Sequence, residues 1–118
     1  MLYVWLCFVI NWDFWRLKVK EGIKYDAGKL RIAEMIKDFE KPLTELCKVW
    51  EFGANKYGVS NWKKVDNAEN RYTNAMIRHL LAESSEVTDK ETELLHAAHV
   101  AWNALARLHF IMEEKINE

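Results

Sequence analysis

From Leu43 to Tyr57 the apolar residues Leu43, Leu46, Cys47, Trp50, Ala54 and Tyr57 recur at intervals that place them on one face of a helix. Pro42 suits the first position of that helix, where a missing N–H costs nothing, and Gly58 suits a left-handed stop. Upstream, Leu30, Ile32, Ala33, Ile36 and Phe39 predict a shorter helix, and residues 21–29 (EGIKYDAGK), with two glycines, predict a loop or turn. Residues 58–67 (GVSNWKKVDN) read as a second loop, ending in Asp66 or Asn67 as a helix cap. A third helix is expected from Ala68 to Ser84, with Tyr72, Ala75, Met76 and Leu80 inward and His79 and Glu83 on the same face. Thr88 and Glu91 match a capping box and predict the start of a long fourth helix reaching about Ile116. No alternation of polar and β-branched residues persists, and one proline and four glycines punctuate the chain. The expectation is an all-α fold, a compact bundle of about four helices.

A chain of 118 residues supports one domain with a modest core. We divide it into an aromatic N-terminal extension, residues 1–20, and a single helical domain, residues 21–118. Trp5, Trp12 and Trp15 crowd the extension. It reads either as an added strand or helix packing on the domain or a partner, or as translated sequence upstream of the true start. Its ten leading apolar residues are half of a bilayer span and are followed by Asn11, Asp13, Arg16 and Lys18, so no membrane segment is expected. Cys7 and Cys47 are too few and too far apart for a disulfide framework, which points to a reducing, cytoplasmic compartment. A net charge of −1 lacks the basic surplus of a duplex-binding protein, so a small ligand fits better than nucleic acid.

Candidate chemistry concentrates between Arg78 and Asn103. On a helix His96, His99 and Asn103 fall within about 60° of one another. His79, Glu83 and Glu86 share a face upstream, with Asp89 and Glu91 in the turn between. The carboxylates Glu83, Glu86, Asp89 and Glu91 have the oxygen chemistry of a Mg²⁺ site, or form a solvated acidic turn whose Asp89 and Glu91 favour a helix N-terminus. His96 and His99 are candidate ligands, proton shuttles or nucleotide contacts, or satisfied core histidines; their spacing lacks the third ligand of a zinc helix. Lys24, Lys29, Lys56 and Arg78 are candidate phosphate clamps or ordinary surface charges. GANKYG is not a phosphate-binding glycine loop, and no glycine-flanked serine nucleophile occurs.

Taken together, KYDAGK (24–29), FGANKYGVSNW (52–62), RHLLA (78–82), the E-x-x-D-x-E of Glu86, Asp89 and Glu91, and HAAHVAWNAL (96–105) resemble the phage and prophage dATP/dGTP diphosphohydrolase N-terminal domain family, which is MazG-like. The resemblance covers roughly residues 22–110. Members tend to read Asp-Pro-Glu-Ser-Gly where this chain has Asp89-Lys90-Glu91-Thr92-Glu93. The E-x-x-E of Glu83 and Glu86 is similar to the first half of the MazG pattern, while His96 and His99 replace the E-x-x-D of its second half. The resemblance implies Mg²⁺-dependent cleavage of dATP or dGTP to a monophosphate and pyrophosphate, with Mn²⁺ as the alternative ion. It implies metal ligation by Glu83, Glu86, Asp89 and Glu91, and catalysis by Glu86, Asp89, His96 and His99. Substrate contacts would come from Lys24, Asp26, Lys29, Lys56, Tyr57, Asn61, Trp62, Arg78, His79 and Asn103. A four-helix unit of this size leaves a shallow site, so a homodimer or homotetramer is expected. The rival readings are a nucleotide binder without turnover and a protein-interaction module docking through the aromatic N-terminus.

Overall fold

A computed structural model describes residues 22–118, so the N-terminal extension lies outside the described residues. The first described stretch belongs to a unit ending at Arg31. It contains a turn in which Lys29 N donates to Asp26 O over 3.1 Å. Gly28 takes a φ of 78° there, a conformation that glycine alone adopts at no steric cost.

The second unit, Ile32–Glu118, carries the helices. They are α1 (Ile32–Asp38), α2 (Glu40–Tyr57), α3 (Ala68–Ala82) and α4 (His96–Asn117), with a single 3-10 turn at Asn61–Lys64. No strand occurs among the described residues, only an isolated antiparallel bridge between Thr88 and Leu95. The all-α bundle of four helices is therefore as the pattern predicts.

Boundaries differ from expectation in instructive ways. Helix α2 begins at Glu40, which puts Pro42 inside the first turn; the N–H of that turn has no intrahelical partner, so the proline still costs nothing. Gly58 ends α2 with φ 97° and donates its N–H to Ala54 O. Asn67 precedes α3 in a left-handed conformation and makes no side-chain cap bond; its carbonyl accepts Arg71 N instead. The capping box at Thr88 and Glu91 does not form, because α4 starts at His96. Asp89 diverts the chain: its Oδ2 accepts the N–H groups of Glu91 and Thr92 at 3.1 and 3.0 Å, which closes an Asx-type turn rather than a helix. Asp89 N→Leu94 O and His96 N→Val87 O, at 2.8 and 3.0 Å, then hold the loop closed ahead of α4.

Glu93 completes that turn with a φ of 59°. A side chain there costs about 1 kcal/mol relative to glycine. Glu93→Gly should therefore raise the melting temperature by a few degrees, corresponding to about 0.5–1 kcal/mol. Differential scanning calorimetry checks this, and an unchanged or lower value would show that the turn is not strained.

The core is built from small residues. Val49 of α2, Ala68 of α3, and Ala98 and Ala106 of α4 are buried, Ala106 to 1% exposure. Helices α3 and α4 form the principal contact, as alanines let two helix axes approach. Ala106→Leu should cost about 1–3 kcal/mol by overpacking this contact, measured by urea unfolding. Beside the alanines the Trp62 ring meets Trp102, His109 and Phe110 edge-on at 5.5, 5.0 and 5.9 Å. Tyr72 stacks on Phe110 and donates its hydroxyl to Trp62 O over 3.1 Å, tying the 3-10 turn to α3 and α4.

Four inward assignments fail. Cys47 and Tyr57 are exposed, and Val49 takes the buried place on α2. Leu80 is half exposed and Glu83 lies on the surface, although Glu83 keeps helical backbone angles and donates its N–H to His79 O.

Candidate functional site

Helix α3 supplies His79 from its last turn, the following loop supplies Asp89 and Thr92, and the first turn of α4 supplies His96 and His99. The α3–α4 hairpin folds these onto one another. His79 Nδ1 and His96 Nδ1 lie 2.9 Å apart. The His79 and His99 rings stack with centroids 4.3 Å apart and planes 6° from parallel. His79, Asp89 and His96 each present a ligand atom within 4.8 Å of the others.

Thr92 organises this group. Its hydroxyl lies 3.1 Å from Asp89 Oδ2 and 2.7 Å from His99 Nε2, and it accepts Leu94 N at 3.2 Å. A hydroxyl has one proton to give. With Asp89 ionised that proton goes to the carboxylate, so His99 Nε2 carries hydrogen and donates to Thr92. Burial pushes the Asp89 carboxyl up, but hydrogen bonds from the Thr92 N–H and hydroxyl, aided by His99 and His79, overcome it and hold Asp89 below its ordinary value. Burial holds His79 below its ordinary value, with Asp89 opposing and His96 and Arg78 reinforcing. His99 is depressed by burial first and then by His79, again against Asp89.

These shifts set the sign of a pH effect. A histidine with a depressed folded pKa binds its proton more readily when unfolded, so its stabilisation is full above the unfolded value of about 6.5 and is lost as pH falls below it. In chelator-treated protein the melting temperature should drop from pH 7.5 to 5.5, and His99→Gln should flatten that dependence. Parallel curves for the two proteins would remove His99 as a contributor.

Beside the cluster is a cavity of about 460 Å³ whose lining includes Tyr57, Asn61, Trp62, Arg71, Arg78 and Asn103. Five of these, all but Arg71, are residues that the sequence placed on substrate. Asn103 joins the two regions: it lines the cavity and its Nδ2 donates to His99 O over 2.8 Å. Arg78 lines the cavity next to His79 on α3. Trp62 is engaged by three aromatic rings, which leaves Tyr57, 63% exposed, the freer ring at the cavity's edge.

Other sequence candidates are placed differently. Lys56 pairs with Glu91, an ion pair that holds the Lys56 ammonium above its ordinary value, and Lys90 pairs with Glu86 at 3.1 Å. Glu83, Glu86 and Glu91 are exposed, and of the four acids only Asp89 joins a metal-capable group among the described residues. Lys24, Asp26 and Lys29 belong to the unit ending at Arg31. Thr92 and Arg71 are additions from the structure. Arg71 is seven residues from Arg78, two turns along one helix face, and Thr92 lies three residues after Asp89.

The family described as dATP/dGTP diphosphohydrolase, N-terminal, matches residues 19–118. A protein of Salmonella phage PMBT28 called dATP/dGTP diphosphohydrolase is 39% identical over 83 residues, which are 68% of this chain and 26% of that protein. The chain thus spans about a quarter of the length of the relative it matches. No solved structure matches it.

Proposed function

We propose, given that this chain belongs to the dATP/dGTP diphosphohydrolase N-terminal family, that it binds a purine deoxynucleoside triphosphate in the cavity and hydrolyses it to a monophosphate and pyrophosphate. The observation that carries the reading is the convergence of Arg78, Asn61, Tyr57 and Asn103 on one cavity adjoining the His79–Asp89–His96–His99 cluster. Its volume is that of a site for a small organic ligand. Arg71 and Arg78, about 10 Å apart along α3, offer two guanidinium forks to a phosphate chain. Water attacks the α-phosphorus, the bond to the bridging oxygen breaks, and pyrophosphate leaves. The neutral imidazoles and the ionised Asp89 are groups suited to take the proton that the water loses.

The reaction class implies Mg²⁺, an ion that takes oxygen ligands in octahedral geometry. The donors that gather are two imidazoles and one carboxylate, while Glu83, Glu86 and Glu91 stay on the surface, so the protein's own cluster does not fit Mg²⁺. Mg²⁺ enters this reading on the substrate, as the usual counter-ion of the triphosphate. Incubation with each of the four dNTPs and Mg²⁺, with products resolved, tests the proposal. dNMP and pyrophosphate from dATP and dGTP are expected, and neither from any dNTP overturns it.

The homo-oligomer rests on a separate feature. Leu105, Leu108, Met112 and Ile116 of α4, spaced by three and four residues, are each at least half exposed, and Leu80 and Leu81 of α3 are exposed as well. Such a stripe has the spacing of a helix–helix seam. Leu108→Lys with Met112→Lys should convert a dimer or tetramer to a monomer in sedimentation equilibrium; an unchanged mass would place the contact elsewhere. No described helix is long and apolar enough to cross a membrane. An enzyme of this kind would work on the nucleotide pool of the host cytoplasm.

A further inference from the structure

We infer that His79, Asp89 and His96 form a binding site for one first-row transition-metal ion, distinct in chemistry from the magnesium that accompanies a triphosphate. The three side chains come from α3, the loop and α4, and each offers a ligand atom within 4.8 Å of the other two.

The histidine pair is poorly explained as plain core structure. Both Nδ1 atoms face each other at 2.9 Å, a contact that can hold at most one hydrogen bond. His96 is 4% exposed, and a cation at its Nδ1 would take the place of the one proton that the two facing nitrogens can share. A cation between the rings takes a lone pair from each nitrogen and satisfies both. The 2.9 Å separation is short enough for both nitrogens to reach one ion through bonds of about 2.1 Å.

The carboxylate is held in place for ligation. Asp89 Oδ2 accepts two backbone N–H groups and the Thr92 hydroxyl, and Thr92 is itself fixed by His99 and Leu94 N. Such outer partners orient a metal ligand and set its basicity. His99 lies flat against His79 and limits its rotation. Two imidazoles with one carboxylate is a donor set that favours iron, cobalt, nickel, manganese or zinc over magnesium. Three protein ligands leave the remaining positions to water and to oxygens of a bound molecule.

The binding site stands on its own geometry. Only its consequence for catalysis rests on the dNTP reading: there the ion would acidify the attacking water, with His79 and His96 as ligands rather than free bases.

The test uses the full chain without a histidine tag, stripped with chelator and titrated separately with Mn²⁺, Co²⁺, Ni²⁺, Zn²⁺ and Mg²⁺ in the absence of nucleotide. One equivalent of at least one transition ion should bind at least 100-fold more tightly than Mg²⁺, and bound Co²⁺ should show visible d–d bands absent from the stripped protein. His79→Gln and Asp89→Asn should each weaken binding at least 100-fold, and Thr92→Val by about 10–100-fold. His79 is only half-buried, so its variant keeps the test sound if a change at buried His96 disturbs folding. No ion preferred over Mg²⁺, or affinity equal to the parent chain's in both ligand variants, would overturn the site. Metal binding without dNTP turnover would leave the site standing and remove the enzymatic reading; turnover without metal preference would do the reverse.

Discussion

Asp89→Asn should leave the fold intact and lower dNTP turnover about 1,000-fold, the range lost with a proton-transferring or metal-holding carboxylate. The variant separates charge from shape. Asparagine keeps an oxygen to accept the Glu91 and Thr92 N–H groups, so the turn ahead of α4 survives. What disappears is the negative charge that faces His79 and His99. Steady-state kinetics with far-ultraviolet circular dichroism on the same preparation checks this. Retained rates would show that Asp89 shapes the turn and nothing more.

Arg78→Ala should lower kcat/KM about 100-fold, equivalent to about 2.7 kcal/mol, the scale of hydrogen bonds to a charged group. The side chain is exposed and lines the cavity, so its loss removes a phosphate contact without opening the core. Arg78→Lys should restore only part of the loss, because an ammonium lacks the planar fork. Arg71→Ala should have a smaller effect if the reacting phosphate sits at the His79 end of α3. Equal kinetics for Arg78→Ala and the parent chain would remove the cavity from the account.

The helices were legible because their stripes are long and their stops chemical. Gly58 ends α2 where the pattern places it, and Ala68 begins α3 as expected. The fourth helix was misplaced at its start because Thr88 and Glu91 satisfy a capping pattern that the Asx-type turn at Asp89 pre-empts; a carboxylate two and three residues before free N–H groups competes with a helix for the same donors. The face shared by His96, His99 and Asn103 followed from spacing alone. The His79–Asp89–His96 contact did not, since it depends on how the hairpin closes, a long-range property with no periodic signature.

The acids show the same limit. Counting Glu83, Glu86, Asp89 and Glu91 within nine residues suggests one oxygen-rich site, yet Glu83 lies on the surface, and Lys56 and Lys90 draw Glu91 and Glu86 into surface ion pairs. Only Asp89, with three hydrogen bonds to its Oδ2, is directed to the histidines. Tyr57, Asn61, Trp62, Arg78 and Asn103 do meet on one cavity, although they span three separate parts of the sequence.

In the proposed reaction the cavity and the adjoining cluster of this chain carry out the cleavage. Its most direct test is the initial rate at which dGMP and pyrophosphate appear from dGTP, measured side by side for the parent chain and Asp89→Asn. The two products are expected in equal amounts from the parent chain, and at a rate about 1,000-fold lower from the variant. No dGMP from the folded parent chain, or equal rates from both proteins, would contradict it.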